Sequence, residues 1–139
     1  MPSPIQSSST DVLLLTERVQ NTIALGESHF REFKSALDGK PGQKKPGSAA
    51  HLSKYIAEAL VAFANADGGE LLIGVENDGA ITGVPHGPED LEIMQRAPTT
   101  HVHADSRLPL TFCERLALGG QVVLFFAVSK GTEQIYQLA

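Results

Sequence analysis

Along residues 48–66 the apolar positions Leu52, Tyr55, Ile56, Ala59, Leu60, Phe63 and Ala64 recur at i, i+3, i+4, i+7, i+8, i+11 and i+12. That spacing predicts an amphipathic helix. Ser48 stands at its cap, and Gly68–Gly69 end it. Phe63 on this stripe is expected to face Leu72 and Val75. A second helix is predicted over 11–25 from Val12, Leu15, Val19 and Ile23. Ser9 or Thr10 caps its start and Gly26 its end, while Leu13 and Leu14 widen the apolar face enough to predict burial on two sides. The continuous apolar run Leu71–Val75 in ELLIGVEN, 70–77, reads as a central strand covered on both faces. Gly74 within it predicts close packing against a helix. NDG at 77–79 offers a tight turn, and ITGV returns from it. Further strands are expected at 29–37, 108–118 and 121–128, with a last one in QIYQL. A short helix is expected at 88–98, with Pro88 in its first turn. The fold class predicted is α+β, a mixed β-sheet packed with about three helices. It is read as a single domain over 11–139 behind a disordered lead at 1–10.

The length of 139 residues fits one core. There is no Trp, and six Phe and two Tyr give a base-stacking platform few parts. One cysteine, Cys113, rules out an internal disulfide and points to a reducing compartment, hence the cytoplasm. MPSPIQSSST lacks a secretory pattern, and no apolar run approaches the roughly 20 residues of a membrane span. A net charge of −5 excludes a histone-like coat for nucleic acid, yet the charge is uneven. Residues 27–54 carry six Lys/Arg against three acids, and 58–92 carry eight acids with no Lys or Arg. Such polarity can orient a polyanion, although ordinary solvated surfaces look the same in sequence. DGKPGQKKPG, 38–47, reads as a mobile basic loop with nothing apolar to anchor it. The candidate phosphate contacts are therefore Arg31, Lys34, Lys40, Lys44 and Lys45.

Catalytic chemistry has one acidic candidate, the group Glu27, Glu32, Glu76 and Asp78. Carboxylates around one cavity hold Mg²⁺ or Mn²⁺, which activates water and neutralises charge on a phosphate. The ligand set read here is Glu27, Glu32 and Glu76, and the catalytic set Glu27, Glu32 and Asp78. On a straight strand Glu27 and Glu32 point to opposite faces, so they converge only if Gly26–Ser28 bends. Asn77, Asp78 and Gly79 also read as plain turn formers. The Gly-rich stretch 64–79 lacks the G-x-x-x-x-G-K-[ST] of a P-loop. His101-x-His103, even with His86 and Cys113, lacks a convincing third and fourth zinc ligand, and Cys113 reads as a packing residue.

ESHFREFKSAL at 27–37 and KYIAEALVAFANADGGELLIGVENDGAITGV at 54–84 strongly resemble the AlbA-like domain of the Schlafen superfamily. The parts that carry the likeness are the E-S-x-x-x-E-F-K block, the helix ending in A-F-A-N-x-x-G-G, and L-L-I-G-V with its acidic turn. VVLFFAVSKG and IYQL are similar to the family's closing strands, so the resemblance spans about 12–138. It implies a mixed α/β nucleic-acid-binding domain, either a minimal stand-alone member or one domain of a longer chain. In vertebrate members a duplicated form resembles a clamp that cleaves structured RNA such as transfer RNA. Its two glutamates carry over to Glu27 and Glu32, and its aspartate position falls on Asn77, a neutral amide. Three readings stay open. The first is a binding domain on the phosphate backbone of DNA or RNA, with a regulatory role. The second is a metal-dependent endoribonuclease, and the third a protein-interaction or assembly domain. A single copy of a domain used in pairs also predicts a twofold homodimer.

Overall fold

The computed structural model describes residues 9–131 and 136–139. Helix α1 (Ser9–Leu25) leads into strand β1 (Arg31–Lys34), and a small hairpin of β2 (Leu37–Asp38) and β3 (Lys45–Pro46) follows. Helix α2 (Ala49–Ala64), strand β4 (Gly69–Ile73) and helices α3 (Pro88–Gln95) and α4 (Ala97–Thr100) come next. A 3₁₀ turn (Ala104–Ser106) and the strands β5 (Leu110–Leu118) and β6 (Gln121–Val128) complete the order. The main sheet runs β1-β4-β6-β5, with β1 parallel to β4 and the other pairs antiparallel. β1 and β5 are therefore its edges. The α+β class holds, with four helices rather than about three, α4 being a single turn.

Helices cover both faces of this sheet, as the continuous apolar runs of β4 and β6 require. On one side α1 sets Val19 against Phe33, Leu72, Val123 and Phe125. On the other, α2, α3 and α4 enclose Leu71, Ile73, Leu124 and Phe126. Ser48 caps α2 by accepting from the His51 N–H at 3.3 Å. The Gly68 N–H returns to the Phe63 carbonyl at 2.7 Å, which closes the helix at the expected glycine pair.

Several expectations are corrected. Phe63 packs with Leu71 and Ile73 rather than Leu72 and Val75, which belong to the opposite face. Leu13 and Leu14 stay 63% and 59% exposed, so α1 is buried on one side only. Gly74, at φ 99°, ends β4 against the backbone of Gly83 and the side chain of Val84, not against a helix. The 38–47 segment is a hairpin tied to the body. The Gly47 N–H donates to the Ala36 carbonyl at 2.7 Å, and His86 Nε2 donates to the Gly47 carbonyl at 2.7 Å. Ser9 and Thr10 lie within α1, and the rest of the predicted lead lies outside the described residues. Of QIYQL, Gln134 and Ile135 also lie outside them, while Leu138 makes an isolated bridge to Val102.

Candidate nucleic-acid interface

Gly26, at φ 80°, stops α1 and turns the chain back. Ser28 and Arg31 then exchange backbone bonds, the Ser28 N–H to the Arg31 carbonyl at 2.9 Å and the Arg31 N–H to Ser28 at 3.4 Å. His29 and Phe30 form the tip of this turn. The fold-back thus falls between Glu27 and Glu32, two residues beyond the expected Gly26–Ser28 bend. Glu27 Oε2 accepts from the Phe33 N–H of edge strand β1 at 3.2 Å. Glu32 lies on the α2 side of the sheet, where Oε2 accepts the hydroxyl of Tyr55. Burial, the Glu32 hydrogen bond and the charges of Glu32, Glu27 and Glu58 together raise the Tyr55 pKa far above its ordinary value. Lys34 places its Nζ 4.9 Å from the Tyr55 ring centroid.

The remaining acids stay in their own turn. Glu76 Oε2 accepts from the Thr82 hydroxyl at 2.6 Å. Asp78 Oδ1 accepts from the Ala80 N–H at 2.9 Å, the bond of a side-chain-stabilised turn. Asn77 is exposed between them. Among the described residues no group of three or more His, Cys, Asp or Glu is placed to hold a metal ion. Glu27 and Glu32 each accept a hydrogen bond inside the fold, while Glu76 and Asp78 are held by Thr82 and Ala80 within their own turn. This arrangement does not fit a divalent-cation centre of the expected composition. Cys113 is half-buried with Sγ 3.4 Å from the Gln95 carbonyl. Burial, then Glu114, raises its thiol pKa, the environment of a packing cysteine. His101 ends α4, and His103 Nδ1 accepts from the Asp105 N–H at 3.2 Å.

The basic candidates divide between the faces. Three positions separate Arg31 and Lys34 on β1, so their side chains leave opposite sides of the sheet. Arg31 lies on the α1 side, where its Nε donates to the Gly26 carbonyl at 2.8 Å. Lys34 lies on the α2 side. Lys40, Lys44 and Lys45 are exposed on the hairpin that follows β1, and none is ion-paired among the described residues. All five therefore sit on or next to one sheet edge. Sequence reasoning misses Tyr55, which counts as one more apolar position on its stripe, and Phe30, which falls within a predicted strand. A phenol hydroxyl on a buried stripe needs a polar partner, and that is the available signal for Tyr55.

A layered α+β domain with a lysine-bearing sheet edge is the class this geometry defines. The Schlafen, AlbA_2 family model matches residues 27–139, and the chain belongs to that family. A solved structure, the DIP2311 protein of Corynebacterium diphtheriae, shares the fold with a TM-score of 0.60 at 21% identity. The likeness covers 89% of this chain and 23% of that one, so the chain spans about a quarter of its neighbour's length. Comparison with curated proteins gives no match. No helix among the described residues is long and apolar enough to cross a membrane.

Proposed function

We propose that this domain binds the phosphate backbone of DNA or RNA along the β1 edge and the adjoining hairpin. The observation that carries the reading is the trio Lys40, Lys44 and Lys45, exposed and without ion-pair partners among the described residues, on a projection anchored to the body. Lysine is a point-charge phosphate contact and gives little sequence preference. Arg31 and Lys34 extend the same edge towards the Phe30 turn. Family membership supports a nucleic-acid-related role.

Binding is favoured over cleavage because the third family position is Asn77 and the turn acids serve their own turn. A panel of single-stranded, duplex and transfer-RNA-like ligands at low salt, each in Mg²⁺ and in EDTA, tests this. Retention of ligand in both conditions with intact RNA is expected. RNA cleavage that requires the metal would replace this reading with the nuclease one.

The assembly reading draws on α1, where Leu13, Leu14 and Leu25 are 63%, 59% and 68% exposed. Isolated apolar side chains on a surface are ordinary, but several on one helix mark an interaction surface. The occupant this reading commits to is a second copy of this chain, because twofold self-pairing is the commonest assembly of soluble proteins. Sedimentation of the wild type at tens of micromolar should then show a dimer, and Leu14→Ser with Leu25→Ser a monomer. A monomeric wild type removes the assembly reading and leaves the binding one standing.

A further inference from the structure

We propose that Phe30 is a stacking platform for one unpaired base of a bound nucleic-acid strand. The proposal rests on the backbone-binding function above and adds to it a preference for strands with exposed bases.

Phe30 is 49% exposed, and the fold holds it there. Its N–H donates to Ser28 Oγ at 3.2 Å. Its carbonyl accepts from the Glu70 N–H at 2.8 Å, which ties the turn to the first residues of β4. The ring is thus presented from a backbone fixed at both polar groups. The Arg31 guanidinium lies 5.9 Å from the ring centroid. Its Nε is committed to the Gly26 carbonyl at 2.8 Å, and its two terminal Nη groups have no protein partner among the described residues. An aromatic face beside unpaired guanidinium N–H groups has the two chemistries of a nucleotide, a base to stack and a phosphate to pair.

The surroundings agree. Phe30 and Arg31 line a cavity of about 260 Å³ with Arg18, Gly68 and Glu70. That is below the roughly 300–1,000 Å³ of pockets for larger small molecules and suits a single planar ring. Both acids on its wall face a cation, Glu70 a bonded Arg18 at 2.8 Å and the exposed Asp67 a looser Lys130 at 3.7 Å. Of the two, Glu70 is thus already bonded to a guanidinium when a phosphate approaches Arg31. Bases inside a continuous duplex already stack on their neighbours and present no face, so the platform takes only an unpaired base.

A short single strand carrying one 2-aminopurine, and the same strand in a fully paired duplex, provide the test. Stacking on Phe30 should quench the probe in the single strand. Phe30→Ala and Phe30→Leu should each weaken single-strand binding about tenfold or more and relieve the quench. Phe30→Trp should preserve both, and duplex affinity should be unchanged in all three variants. Equal single-strand binding by wild type, Phe30→Ala and Phe30→Leu would overturn the platform while leaving backbone binding intact. Failure of the wild type to bind either ligand at low salt would overturn both.

Discussion

Tyr55 sits on the apolar stripe of α2, yet its position is set by its hydroxyl. The group donates to Glu32, and burial, that hydrogen bond and three nearby carboxylates keep the phenol neutral. Its folded pKa lies above the unfolded value of about 10. The folded state thus holds a proton that the unfolded state gives up at high pH. The resulting stabilisation is complete below about pH 10 and is lost as pH rises through the folded pKa. A tyrosinate absorbance titration should show one transition well above pH 10 that disappears in Tyr55→Phe. Glu32→Gln should move that transition down, and an unmoved transition would remove Glu32 as a cause. At this scale the sequence was half legible. The odd separation of Glu27 and Glu32 asked for a bend, expected at Gly26–Ser28, whereas the chain makes its tight turn at Ser28–Arg31, between the two glutamates. The bend depends on the turn closed by Ser28 and Arg31, and Tyr55 reaches Glu32 from a helix 23 residues away.

Among the elements, the joint between α2 and β4 is the tightest. A Cβ added at Gly69 would lie under 3.0 Å from ring carbons of Phe63. Gly69→Ala should therefore destabilise by about 1–3 kcal/mol through overpacking. Phe63→Leu in the same chain should recover part of that loss, because the smaller side chain vacates the space. Thermal or denaturant unfolding of the single and double variants reads this directly. A Gly69→Ala protein as stable as the wild type would mean that the ring does not rest on Gly69. The helix stripe of 48–66 was plain in the sequence because its period is long and ends at a glycine pair, and the strands of 108–128 because two strand-length runs meet at Gly119–Gly120. The face of β4 that meets Phe63 was not, because Leu71, Leu72 and Ile73 are all apolar and a strand buried on both sides has no alternation to read. The β2–β3 hairpin was missed for a related reason. Two residues per strand carry no period, and its anchor, His86, lies 39 residues away.

Over the whole molecule, the charge asymmetry of the sequence does not become two clean faces. Glu58, from the acid-rich stretch, acts on the same Tyr55 hydroxyl as Glu27 and Glu32. The basic set is divided as well, with Arg31 and Lys34 on opposite sides of β1. What persists is local, an edge strand continued by a hairpin whose three lysines lack ion-pair partners among the described residues. The fold class was legible from pattern and motif together, and the distribution of charge in space was not, because it depends on which elements the sheet brings side by side. The salt dependence of duplex binding tests the central claim most directly. The slope of log K against log salt falls by close to one unit for every phosphate that a protein no longer neutralises. The Lys40→Ala, Lys44→Ala, Lys45→Ala triple variant should fold as the wild type does, bind more weakly at low salt, and show a slope shallower by up to about three. A triple variant with the wild-type slope and affinity would contradict the account and place any nucleic-acid contact elsewhere on the domain.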